Sequence, residues 1–289
     1  MKITKIEDMH ADGGWRVMSY LKVSTDEGIV GWSEFHEGMA GPALTMVIRV
    51  LGGRIIGMDP RDVAPIAARL YANSRMVEGG ILQEAIATIT NALMDIKGKA
   101  AGLPVYDLLG GAFRKRLPVY WSHCGSYRIR HATVFEGEAS TPPIRSLDDI
   151  VALGAEVARR GYRALKTNVV LFDADTPYQY RPGFSGLPPS PDLVMDDRVL
   201  RATQDLMAAF RQGAGNDTGL MLDLNFNFRP ESVRRLARAV EPFDLTWLET
   251  DTYNAQALAQ IRNGTTVPIA SLETIYGQKN FKAFLDAGA

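Results

Sequence analysis

Three carboxylates stand near the ends of three short apolar runs: Asp223 in "LMLDLN", Glu249 in "LTWLET" and Glu273 in "PIASLET". The intervals between them are 26 and 24 residues, close to one strand-plus-helix repeat. Acids at the same place on successive repeats converge, and a cluster of like charges repels itself unless a cation holds it. Three carboxylates with water and substrate oxygens make a hard, octahedral oxygen site, which suits Mg2+. One such acid alone reads as an ordinary cap or salt-bridge residue; three in register favour a metal site. One repeat earlier, "ALKTN" puts Lys166 and Asn168 two residues apart and therefore on one face of a strand. A solvated lysine fits poorly in so apolar a run. Beside a bound cation its charged form would be disfavoured, which suits a general base; left charged, it would bind a substrate carboxylate.

Such residues need a scaffold that gathers strand ends, and the chain from Leu117 onward has its texture. "LPVYWSHC", "YRALKTNVV", "GLMLDLN", "LTWLE" and "VPIAS" read as strands. Between and after them lie amphipathic helices: one capped by Ser146 and ended at Gly161, one over 194–212, one opened by Pro230, one over "NAQALAQIRN" and one over 275–287. Strands alternating with helices mean parallel βαβ units, and about five such units point to a (β/α) TIM-type barrel, whose strand ends share one mouth. The first part is α+β instead. "KITKIEDM", "VMSYLKVST" and "IVGWSE" read as strands, the last two joined through Asp26-Glu27-Gly28. A helix is expected from an Asp59-Pro60 start, with Val63, Ile66, Ala67 and Leu70 on one face. In another, over 81–97, Leu82, Ala85, Ile86, Ile89, Leu93 and Ile96 form a core stripe. The expected organisation is an α/β protein with an α+β domain over 1–116 and a barrel over 117–289. Between Val170 and Asp192, "LFDADTPYQYRPGFSGLPPSP" shows no periodicity and reads equally as a functional loop or as a surface insertion.

Bulk properties exclude several classes. Thirty-two basic against 33 acidic residues leave a formal charge of −1, which argues against a nucleic-acid surface. "MKITKIEDMH" has no apolar core of a signal peptide, and no apolar run is long enough to span a bilayer. Cys124 is the single cysteine, so no intrachain disulfide can form; it reads as a small buried hydrophobe in a cytoplasmic protein.

On these residues the chain resembles the enolase superfamily, in its mandelate racemase/muconate lactonising enzyme group. "ALMDIKGKAAGLPVYDLLGG" (92–111) is similar to that family's connection between capping domain and barrel, and "GIVGWSE" (28–34) to its capping-domain hairpin. "DLN", "WLE" and "PIASLE" match its three metal-ligand positions, and "ALKTN" its lysine motif. The resemblance implies that Asp223, Glu249 and Glu273 bind Mg2+. It also implies that a metal-bound carboxylate substrate loses its α-proton to a base, here Lys166, giving an enediolate; the handling of such protons by a Lys or His base with Mg2+ is a known pattern of the family. Asn168 and Asn225 would hydrogen-bond the substrate or support the site. Two capping-domain loops, about His10–Arg16 and Phe35–Gly41, would close over the barrel mouth, with Trp15, His36 and Glu37 as candidate contacts. Asn168 stands where many relatives carry a second lysine and cannot abstract a proton, which argues against a two-base racemase. Thr250 and Asp251 replace a frequent Glu-Pro, and Leu272 stands where a glycine often precedes the third ligand. The chain ends at "FLDAGA", where relatives begin a sixth barrel strand, so the barrel is expected to be incomplete and the gene to continue past Ala289. The expected activity is dehydration of a sugar acid by a homo-oligomer. Racemisation, epimerisation or cycloisomerisation is the enzymatic alternative, and a non-catalytic, metal-stabilised binding scaffold the non-enzymatic one.

Overall fold

In the computed structural model, residues 1–38, 42–75, 79–138, 141–182, 193–225 and 228–289 are described. Contacts divide them into two units, Met1–Arg116 and Leu117–Ala289.

In the first unit, the alternating apolar residues of 17–25 and 30–35 bury one face of an antiparallel sheet. Its strands are β1 (Ile3–Asp12), β2 (Val17–Thr25) and β3 (Val30–Phe35), in that order. Leu21 and Val23 are wholly buried against α1 (Ala43–Gly53), α2 (Val63–Ala72) and α3 (Gly80–Ala101). All six apolar stripe residues of α3 are buried. Gly31 is needed where β3 meets α3, because a Cβ there would lie 2.1 Å from the Ala92 carbonyl oxygen. The second helix starts later than Asp59-Pro60 suggested. Asp59 accepts the Arg61 N–H and its guanidinium, closing a local turn, and α2 begins after Asp62. A one-turn helix, α4 (Val105–Leu108), follows.

The second unit opens with the short α5 (Ser126–Arg130) and then α6 (Leu147–Arg159), whose Ser146 and Asp149 form a complete capping box. β4 (Ala164–Asn168), α7 (Asp197–Ala214), β7 (Gly219–Asp223), α8 (Pro230–Val240), β8 (Leu245–Glu249), α9 (Ala255–Arg262), β9 (Ile269–Ala270) and α10 (Gln278–Asp286) follow in βα alternation; β5 (Val170–Leu171) and β6 (Tyr178–Gln179) interrupt it after β4. The parallel sheet runs β4-β7-β8-β9. Expected strand 117–124 is reduced to a single bridge, Trp121 to Leu165, supported by Cys124 N–H donating to the Lys166 carbonyl at 2.7 Å. β5 and β6 pair antiparallel. The loop after β4 therefore begins as a small hairpin; residues 183–192, with the rest of its proline-rich run, lie outside the described residues. Leu165, Leu220, Leu222 and Leu248 turn outward into one core with Val199, Phe210, Val233 and Leu236 of the helices. The alternate residues, Lys166, Asn168, Asp223 and Glu249, are thereby turned to the other face. Among the described residues no helix is long and apolar enough to cross a membrane.

Candidate metal and substrate site

The parallel register lines up the polar residues. Asn168 pairs with Asp223, and Asp223 with Glu249, so β4, β7 and β8 end level. Lys166 lies one alternation back on β4, and its Nζ reaches Glu249 Oε2 at 2.8 Å and Asp223 Oδ2 at 3.3 Å. The lysine is only 8% exposed, and the two acids are similarly enclosed. Burial would lower the Lys166 pKa, but the Glu249 hydrogen bond and the Asp223 and Glu249 charges outweigh it and hold it above the ordinary lysine range. This is the reverse of the shift expected beside a cation, because here the ammonium itself neutralises the carboxylates.

Glu273 arrives differently. β9 pairs with β8 at Ile269 and Ala270 only, and Glu273 lies three residues beyond Ala270, in a turn. Its carboxylate still meets those of Glu249 and Asp251, oxygens of all three lying within 4.8 Å of one another. Asp251 was not among the expected ligands. It is buried, Oδ1 accepts the Leu272 N–H at 3.0 Å and the Ser271 hydroxyl at 3.2 Å, and Oδ2 is buried without a hydrogen-bond partner among the described residues. Burial first, then neighbouring acids, raise the pKa of Glu249, Asp251 and Glu273. Glu249 thus belongs to two groups: Lys166 bridges it to Asp223, and it clusters with Asp251 and Glu273. A hard divalent cation fits this donor set: it would relieve the repulsion and satisfy oxygens that the protein leaves unpaired.

Asn225 does not continue the β7 face. The strand stops at Asp223, and Asn225 adopts a left-handed conformation, φ 57°, which asparagine tolerates. Its N–H donates to Asp223 Oδ1 at 2.8 Å and its carbonyl accepts from the Asp251 N–H at 3.1 Å, so its backbone ties two acids together. Asn168 is saturated on one side: Oδ1 accepts from Ser126 Oγ at 2.9 Å and from His123 Nδ1 at 3.0 Å, while Nδ2 donates to the Asp223 carbonyl at 3.3 Å. His123 stacks on Tyr127 with centroids 4.1 Å apart. Burial lowers the His123 pKa, which leaves the ring neutral. Arg181, 8% exposed, stands in the same electrostatic neighbourhood as Arg130, Tyr127 and Asp223. A cavity of about 380 Å3 is lined by Trp121, His123, Tyr127, Arg128, Glu156 and Arg160 among others, and by none of the clustered acids. Its charges are already paired, Glu156 bridging Arg128 and Arg160.

Known proteins share this arrangement of chain. Residues 15–110 match the mandelate racemase / muconate lactonizing enzyme N-terminal domain family, and residues 149–289 the enolase C-terminal domain-like family. A Burkholderia xenovorans strain LB400 protein with the provisional name L-alanine-DL-glutamate epimerase is 42% identical, with a TM-score of 0.95 over 100% of this chain and 72% of its own. The chain belongs to the enolase superfamily.

Within the superfamily it sits in the mandelate racemase/muconate lactonizing group, with an N-terminal capping domain and a C-terminal (β/α) barrel. A second structure of the Burkholderia protein is bound to magnesium and fumarate and gives a TM-score of 0.94, covering 99% of this chain and 70% of that one. A D-galactonate dehydratase from Xanthomonas oryzae pv. oryzae is 30% identical over 293 residues, which are 100% of this chain and 65% of that one. A D-galactonate dehydratase family member from Streptomyces bingchenggensis is 31% identical over 255 residues, 86% of this chain and 59% of that one. The chain thus spans roughly three-fifths of the length of these curated relatives.

The glycine that the resemblance leads one to expect before Glu273 has a physical echo here. Leu272 has φ 83°, the left-handed region that glycine enters freely, and Asp251 holds its N–H there. In the capping domain, Trp15 is 43% exposed and His36 is exposed. Glu37 is committed locally: it accepts the Thr45 N–H at 3.0 Å and the Thr45 hydroxyl at the start of α1. The expected loop from His10 is shorter than the sequence suggests, since β1 continues to Asp12; Met39–Gly41 of the other loop lie outside the described residues. Sequence reasoning noted Asp251 only as a departure from a frequent Glu-Pro and passed over His123 and Arg181. The only signal for Asp251 was its place two residues beyond Glu249, and for His123 its place near the end of the first barrel strand.

Proposed function

We propose that this chain carries the metal site and base of an enzyme that removes the proton α to the carboxylate of a small acid, in the direction of dehydrating a sugar acid. The observation that carries the reading is the group of acids at the C-terminal ends of parallel strands, where Lys166 bridges Asp223 and Glu249 and Glu249 in turn clusters with Asp251 and Glu273. Asp223, Glu249 and Glu273 would hold Mg2+, with Asp251 bracing the turn that presents Glu273. When bound, the ion supplies positive charge to the carboxylate oxygens on which charge accumulates as the α-proton leaves. Lys166 Nζ either takes that proton or binds the substrate carboxylate as the ammonium. Asn168 and Asn225 hold the ends of β4 and β7 in place, and Trp15 and His36 of the capping domain are offered as substrate contacts. A small carboxylate substrate, a homo-oligomer and a cytoplasmic location form part of the same proposal.

Dehydration is favoured by the relatives named D-galactonate dehydratase. Epimerisation is the second reading, favoured by the name of the 42% identical Burkholderia protein. Asn168 weighs against its two-lysine form, because a side-chain amide does not accept a proton at neutral pH. The test is incubation with a panel of sugar acids in D2O with Mg2+. The proposal expects loss of water from at least one member, dependent on Lys166 and on the metal. Deuterium at the α-carbon with inversion and no water loss would establish the epimerase instead, and binding of panel members without either event would point to a scaffold.

A further inference from the structure

The Asp223 backbone carbonyl can only accept, so the Asn168 group facing it at 3.3 Å must be the Nδ2 amine. That fixes the amide the other way round at its far end: Oδ1 faces Ser126 and His123 and accepts from both. His123 Nδ1 must therefore carry the ring proton. In a neutral imidazole this leaves the lone pair on Nε2, which makes no hydrogen bond among the described residues. The less common tautomer is thus set by one amide whose own orientation is set by the strand that carries Asp223. The ring is further clamped by its stack on Tyr127, in parallel planes 7° apart, and by a left-handed backbone, φ 49°. It is only partly buried, unlike Asn168, which is 1% exposed.

We propose that Asn168 is a positioning residue that locks His123 as the Nδ1–H tautomer, so that Nε2 is presented as a hydrogen-bond acceptor for a hydroxyl of the substrate. This deepens the sugar-acid reading above and rests on it. The direct contact passes from Asn168, whose amide is engaged inside the protein, to His123. An acceptor at this point favours hydroxylated acids over their deoxy counterparts, because a hydroxyl finds a partner there and a methylene does not.

The test is the ring-nitrogen NMR spectrum of the full chain labelled with 15N-histidine, with His123 assigned by its loss in His123→Gln. A protonated Nδ1 and an unprotonated Nε2 are expected in the wild type. Asn168→Asp, which keeps the acceptor, should preserve the pattern, and Asn168→Ala should reverse it. An Nε2–H tautomer in the wild type overturns the proposal without recourse to any variant, and so does an unchanged tautomer in folded Asn168→Ala. The hydroxyl contact is read in the same spectrum, by adding tartrate or succinate with Mg2+. Tartrate should shift Nε2 and succinate should not; the same response to both, or to neither, overturns the contact. Calorimetric binding of Mg2+ to the wild type is measured alongside. Its failure would sink the metal reading while leaving the tautomer result to stand by itself.

Discussion

At the residue scale, Lys166 is the hinge of the site's electrostatics. It is enclosed with Asp223 and Glu249, and removing one partner of such a group leaves uncompensated charge. Lys166→Met should therefore lower stability by about 3 kcal/mol in urea denaturation without divalent metal, and Mg2+ should restore part of it. An equal loss with and without Mg2+ would mean that ammonium and metal do not share the same carboxylates. Leu272 is the strained residue. Relief of a left-handed backbone is worth about 1 kcal/mol, so Leu272→Gly should raise the urea midpoint, whereas β-branched Leu272→Val should lower it and weaken Mg2+ binding. Lower stability for both variants would show that the leucine side chain, not its backbone, matters there. The three expected acids and Lys166 could be proposed from the sequence because their spacing follows the strand-helix repeat. Asp251 and His123 carried no such signal, because each lies at a place where the backbone leaves regular alternation: Asp251 beyond β8, and His123 at φ 49°.

At the element scale, the joints between strands and helices decide how firmly residues are held. β1 and α1 are fastened by Asp8, whose two oxygens accept from Arg49 Nε at 2.7 Å and Nη2 at 2.8 Å. The Arg49 hydrogen bonds hold the Asp8 pKa down to about 2. A depressed acid contributes stability above its unfolded pKa, about 4, and loses it as the pH falls through the folded value. Asp8→Asn should thus flatten the acid limb of the stability curve between about pH 4 and pH 2 by roughly 1 kcal/mol, the exposure of Arg49 screening the rest. An unchanged limb, followed by circular dichroism against pH, would show that the pair contributes nothing. Elements with strong period, such as α3 and α6, were readable to within a few residues. β5 and β6 were not: strands of two residues carry too little alternation to be distinguished from loop. The first barrel strand is a single bridge for a related reason, since it has one neighbour, β4, to pair with among the described residues.

At the scale of the whole molecule, contacts divide the described residues at Arg116 and Leu117, and near Leu117 the texture of the sequence changes from antiparallel strands and a helical cluster to alternating strands and helices. What alternation cannot convey is how the strand ends are finished, and that is where the acids meet. The account stands on those acids forming one divalent-cation site. Isothermal calorimetry of Mg2+ binding to the full chain, beside Asp223→Asn and Glu273→Gln, tests it most directly. One Mg2+ per chain is predicted, weakened at least about tenfold by either substitution, equivalent to about 1.4 kcal/mol each. Mg2+ binding that is absent from the wild type, or equally tight in both variants, would contradict it.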